Sequence, residues 1–205
     1  MTNYFTLLGE APRPFVDGDA LKSRFMELFT SLHPDRTHGA SEVEKLQANQ
    51  RYAELNAALN CLKEPRDRLL HLLELELGAK PADIQRIPPG TMELFMEVGQ
   101  LCRDVDTFIA ERGKVTSPML KVQMFERGMA WTDTLTGLQQ KINAKREELN
   151  QELRALNVVW ESAPPTGPER LKALPLERLE QMYRVYSYIQ RWTGQIQERV
   201  VQLAV

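Results

Sequence analysis

LKSRFMELFTSLHPDRTHGASEVEKLQANQRYAELNAALNCLKEP, residues 21–65, decides how this chain folds. Leu21, Phe25, Leu28 and Leu32 recur at helical spacing, and Asp17 or Asp19 is placed to cap the helix that carries them. Proline disfavours helical backbone in the residue before it, so Pro34 stops this helix at or before His33. A polar stretch, Arg36 to Ser41, leads into a second periodic run, Glu42 to Leu62, striped by Leu55, Ala58, Leu59 and Leu62. Two helices joined this way form a hairpin. Its tip, His33-Pro34-Asp35, faces a partner rather than filling a core.

Working outward, the other prolines also fall between periodic runs, as they must where each would remove a helix hydrogen bond and clash with the preceding turn. Pro12 and Pro14 set off a short first segment. Pro65 precedes a greasy run of Leu69, Leu70, Leu72, Leu73 and Leu75. Pro81, Pro88 and Pro89 lie in Gly78 to Thr91, which reads as a linker. Leu94, Val98, Leu101, Val105 and Phe108 predict another helix face. Val122, Phe125, Met129, Leu135, Leu138 and Ile142 begin a run to about residue 160, with Pro118 near its start. Pro164, Pro165 and Pro168 mark a turn, and Pro175 delays or kinks the last run, whose stripe passes through Leu179, Met182, Val185, Ile189, Ile196, Val200 and Leu203. No alternating β-branched segment competes, so the fold class is all-α, with long helices packed as an antiparallel bundle. Gly99, Gly128, Gly137 and Gly194 fall inside these runs and weaken them by about 1 kcal/mol each relative to alanine.

The chain has 205 residues, 42% of them hydrophobic, which is enough to bury a core. A net charge of −2 argues against nucleic acid as partner, since that calls for a basic surface. No apolar run approaches the roughly 20 residues of a membrane span, and no signal or transit segment is evident at Met1 to Phe5. Cys61 and Cys102 form neither a disulfide framework nor a metal pair. The expectation is a soluble cytoplasmic protein in a reducing compartment.

Residues 1–76 resemble a J domain. The resemblance begins with Tyr4-Phe5-Thr6-Leu7-Leu8-Gly9 and runs through Ser23-Arg24-Phe25 into Leu32-His33-Pro34-Asp35-Arg36. It resumes from Leu55 to Arg68, where an apolar stripe is followed by Glu64-Pro65-Arg66. J domains dock through this loop on a DnaK-type chaperone and promote its ATP hydrolysis. The resemblance implies the same use of His33, Pro34, Asp35 and Arg36, with Lys22 and Arg24 on the preceding helix. The physics agrees. His33 sits at the negative end of a helix dipole, and Asp35 is free to accept a charge-assisted hydrogen bond from a partner arginine. One departure is notable: Met26 and Glu27 stand where many relatives are basic, so long-range steering should be weaker.

Arg68-Leu69-Leu70-His71-Leu72-Leu73, together with Tyr4 to Leu7 and Arg24-Phe25, resembles the HscB family of J-domain co-chaperones, which serve iron–sulfur cluster assembly, more than general J proteins. That resemblance implies a linker over 77–91 and a client-binding three-helix bundle over 92–205, an L-shaped pair of helical domains. It also implies a DnaK/HscA-type chaperone and an IscU-type scaffold as partners. The family's scaffold-contact pattern matches Leu94-Phe95-Met96-Glu97 and Leu101. Gly99, Gln100, Cys102 and Arg103 depart from it, which leaves a different client as the alternative. With Leu94 on the core stripe, Phe95 is set one position around and partly exposed beside Met96.

Competing readings of these residues are weaker. His33, Asp35 and His38 match no common zinc spacing and have no cysteine among them. Ser31, His33 and Asp35 include triad residue types, but neighbours on one turn rarely supply a nucleophile, a base and an oxyanion site. There is no phosphate-binding glycine loop and no HExxH motif. The expectation is an adaptor with no catalytic residues, no metal and no cofactor. The charged run Lys141 to Arg154 reads as a solvated helix face. Trp131, Trp160 and Trp192 read as packing residues.

Overall fold

The computed structural model describes residues 2–31, 41–81 and 87–204. Among these are eight helices and no strand: α1 (Tyr4–Leu7), α2 (Gly18–Ser31), α3 (Glu42–Lys63), α4 (Pro65–Leu77), α5 (Met92–Arg112), α6 (Pro118–Ser162), α7 (Pro168–Ala173) and α8 (Leu176–Ala204). The all-α expectation is met.

Local chemistry explains where these helices begin and end. Asn3 Oδ1 accepts from the Thr6 amide to open α1. A Schellman turn closes it: the Gly9 amide donates to Thr6 O and the Glu10 amide to Phe5 O, with Gly9 at φ +69°. Of the two candidate caps for α2, Asp17 is used, accepting from the Asp19 and Ala20 amides at 3.0 and 2.9 Å. A capping box starts α3. Ser41 and Glu44 satisfy each other's amides, and these bonds hold the Glu44 carboxyl below its usual range. Pro65 occupies the first turn of α4, and Gly78 ends it in the left-handed conformation at φ +71°. Pro175 separates α7 from α8 rather than kinking one helix.

The chain gathers into two compact units. The first takes residues 1–83 and 150–183, the second residues 84–149 and 184–205. In the first, Phe5, Leu8, Leu21, Leu62, Leu69, Leu72, Leu153 and Leu179 are almost wholly buried. Arg68, 3% exposed, donates through Nε to Pro14 O at 2.8 Å and through a terminal nitrogen to Leu62 O at 2.7 Å, pinning the proline-rich segment to the end of α3. Asn157 clasps the same segment by exchanging two hydrogen bonds with the Phe15 backbone, each 2.9 Å.

In the second unit the core comprises Val98, Cys102, Val105 and Phe108 of α5, Leu135, Leu138, Ile142 and Leu149 of α6, and Val185, Ile189, Trp192 and Ile196 of α8. The α5 stripe is rotated from the expected one: Cys102 is buried, while Leu94 and Leu101 are only half-buried. The start of α6 also differs. Val122, Phe125 and Met129, expected on the core stripe, are 61%, 63% and 56% exposed. The chain returns to a covered stripe only from Leu135 onward.

Candidate partner-binding surfaces

His33, Pro34, Asp35, Arg36 and His38 lie outside the described residues. What surrounds them in sequence is described. On α2, Leu21 and Phe25 face inward, which leaves Lys22, Arg24, Met26 and Glu27 exposed on the helix that leads into the loop. Arg24 is engaged within the chain. It pairs with Glu27 at 3.0 Å, and its guanidinium lies against Gly9, where an added Cβ would meet it at 3.1 Å. Phe29 packs against Tyr52 of α3 with ring centroids 5.2 Å apart, so α2 and α3 lie side by side.

The predicted scaffold segment, Leu94 to Leu101, spans about two turns of α5. Phe95 is 37% and Met96 59% exposed, with Met92 beside them at 54%. Phe95 is held by an edge-on contact with Tyr188 of α8, ring centroids 6.1 Å apart. Glu97 accepts from Lys141 of α6 at 2.5 Å, both side chains being substantially exposed. The result is an apolar spot with a steadied aromatic ring and an ion pair at its edge. Such a spot suits a partner that brings its own apolar anchor and a polar rim. Leu94 and Leu101 flank it half-buried, so they bear on its shape more than its contact area.

A second apolar row lies at the start of α6, made of Met119, Val122, Phe125 and Met129, with Leu120 exposed beside it. Hydrophobic spacing marked part of this row but not its exposure. Spacing reports that residues share a face, not that another element covers it.

The charged run on α6 is more engaged than a solvated face. Lys145 pairs with Glu148, Glu152 with Arg178 of α8, and Arg154 stacks over Phe15. Trp160 and Trp192 are buried, and Trp131 is half-buried against Phe108.

Two clusters were not legible from the sequence. The first joins α4 to α6 and α7 through Glu76. The second surrounds His71, which is 5% exposed and accepts the Tyr4 amide on Nε2 at 3.1 Å. His71 borders an open depression of about 390 Å³ lined also by Asn60, Cys61, Asp67 and Glu74. Burial, with Asp67 and Glu74 nearby, pushes the Cys61 thiol up to about 11, so it stays protonated at neutral pH and lacks the thiolate a nucleophile needs. Among the described residues no group of His, Cys, Asp and Glu is arranged to hold a metal, and no helix is long and apolar enough to cross a membrane.

No protein-family model matches the chain. The human co-chaperone protein HscB has the same fold, with a TM-score of 0.55 and 19% identity, covering 98% of this chain and 81% of that one. The chaperone HscB from Vibrio cholerae overlaps 95% of this chain and 99% of its own at 24% identity, with a TM-score of 0.47. The class is an all-α fold like that of the human protein. In sequence, the co-chaperone protein HscB homolog of Shewanella pealeana is 42% identical over 74 residues, which are 36% of this chain and 42% of that protein. The likeness in sequence is thus to less than half of the Shewanella pealeana protein, and the likeness to human HscB is one of fold.

Proposed function

We propose that this chain is a co-chaperone that couples a client to the ATPase cycle of a DnaK/HscA-type chaperone. His33, Pro34 and Asp35 engage the chaperone, with Arg36 and the α2 cations Lys22 and Arg24 beside them. Residues 1–76 act as the J domain, 77–91 as the linker and 92–205 as the client-binding part. Asp35 accepts a charge-assisted hydrogen bond from the chaperone, and His33 contributes as a docking group rather than as an acid or base. Neither performs chemistry on a substrate; the hydrolysis belongs to the chaperone. The setting is the cytoplasm.

The client is an IscU-type iron–sulfur scaffold. The observation that carries this reading is the α5 surface, where Phe95 and Met96 stand exposed beside the Glu97–Lys141 pair. Holding the scaffold and the chaperone on one chain raises the local concentration of client at the motor, a gain of 10²–10⁴-fold in favourable geometries, by order of magnitude. The deciding experiment measures ATP hydrolysis by a DnaK-type chaperone with this protein, with an IscU-type scaffold, and with both. Stimulation by both beyond the sum of each alone is expected. Stimulation by this protein that the scaffold does not raise would remove the scaffold from the proposal.

A second reading keeps the chaperone and changes the client. It is favoured by the exposed row Met119, Val122, Phe125 and Met129, which a different helix carries from the Phe95 spot. A pull-down with full-length protein separates the two readings: Phe125→Ser would lose that other client, and Met96→Ala would lose the scaffold.

A further inference from the structure

We propose that His71 is a pH-sensitive latch for the N-terminal helix: its unprotonated ring nitrogen holds the Tyr4 amide, and protonation in mildly acidic solution loosens α1 from α4. The geometry leaves little choice of protonation state. A backbone amide can only donate, so the ring nitrogen 3.1 Å from Tyr4 N must offer a lone pair. An imidazolium has none, because both of its nitrogens carry protons. The rings reinforce the contact. Tyr4 lies 4.6 Å and Phe5 5.9 Å from the imidazole, centroid to centroid, the latter nearly parallel at 16°.

The surroundings set the balance. Burial disfavours a charge on His71 and lowers its pKa, while Glu74, one turn on, pulls the other way without prevailing. Glu74 is itself partly offset by Lys80, 3.8 Å away. The remaining titratable groups around the depression are Tyr4 from α1, Cys61 from α3 and Asp67 from α4. The Cys61 thiol is uncharged throughout the relevant range. A histidine with a lowered pKa in the folded chain binds its proton more readily once released. The latch is therefore complete above the ordinary histidine pKa, about 6.5, and is lost as pH falls below it. Phe5 and Leu8 are fully buried behind the latch, so its loosening reaches the core of the first unit.

Amide hydrogen exchange of the full chain, read by NMR at pH 7.5 and pH 5 and corrected for intrinsic rates, tests the latch. Protection at Tyr4 should fall relative to Leu72 in α4, by about tenfold for every pH unit between the open and closed pKa values of His71. His71→Gln, whose side-chain oxygen can accept the same hydrogen bond without titrating, should show no selective fall. The double variant His33→Gln/His38→Gln, which removes the chain's other two histidines, should keep it. Unchanged Tyr4 protection in the parent, or an equal fall in His71→Gln, would overturn the proposal. So would an NMR signal for a proton on His71 Nε2 at pH 7.5, a measurement that needs no variant.

Discussion

Glu76 and Arg170 form a two-point ion pair between α4 and α7, with the Arg170 nitrogens 2.7 and 2.5 Å from the two carboxylate oxygens. The Trp160 indole donates to the same carboxylate at 3.1 Å. Both charged side chains are largely covered, at 7% exposure for Glu76 and 16% for Arg170. The hydrogen bond to Glu76 raises the pKa of Arg170 further above its already high value. One carboxylate thus ties residues ninety-four positions apart in sequence.

Glu76→Ala should leave a covered guanidinium and an indole N–H without their acceptor. A loss of about 2–3 kcal/mol is expected, since an orphaned partner of a charged hydrogen bond costs its desolvation. The melting temperature should drop by about 4–12 °C for a chain of this size. Calorimetry of Glu76→Ala beside Glu76→Gln checks this, with Gln keeping one acceptor and losing less.

Gly9→Ala should destabilise the chain by about 1–2 kcal/mol, because an L-residue pays that to sit at φ +69°. The added methyl also meets the Arg24 guanidinium at 3.1 Å, though that side chain is long enough to yield. Urea unfolding should show a lower midpoint with an unchanged slope; an unshifted midpoint would mean the turn is not closed as described.

Gly137→Ala should act in the opposite direction. The site is exposed on α6, nothing lies within 4 Å of the added carbon, and the backbone is helical, so up to about 1 kcal/mol of stabilisation is expected. A matched pair of thermal melts is sufficient. Gly128, whose added carbon would lie 3.8 Å from the Phe108 ring in ordinary van der Waals contact, also has room for the same change.

Phe95→Ala and Met96→Ala should each weaken scaffold binding by at least about 1 kcal/mol, several-fold in Kd, as expected for exposed anchors of an interface. Met96→Ala, at a 59% exposed site, should melt close to the parent, whereas Phe95→Ala gives up the Tyr188 contact and should melt somewhat lower. Titration calorimetry against an IscU-type scaffold gives the affinities; parent-like affinity in both variants would move the client elsewhere, with the α6 row as the next surface to mutate.

Asp35→Asn should leave the melt nearly unchanged and abolish stimulation of the chaperone ATPase, because the amide keeps the size and removes the charge that strengthens the hydrogen bond. Stimulation that survives the change would show that Asp35 does not dock the chaperone.

Much of the helical architecture was readable along the chain because its determinants are local. Asp17 caps α2 through amides two and three residues on. The Ser41-x-x-Glu44 pattern opening α3 is a signature of the same local kind. The α8 stripe, Leu179 through Leu203, is buried as spaced, except that Val200 is only half-covered. On α5, Leu101 and Cys102 are adjacent and either suits an apolar face; the packing of α5 in the second unit selects Cys102.

The amino-acid order alone determined where helices start and stop, because capping groups, prolines and left-handed glycines act within about four residues of each end. Only the tertiary structure decided which apolar rows are covered, so that Leu135 and Ile142 are buried while Phe125 on the same helix stands in solvent. It also decided that Glu76 meets Arg170 and that His71 meets Tyr4. A periodic pattern describes one helix's face, whereas burial and long-range pairing depend on what other parts of the chain bring against it.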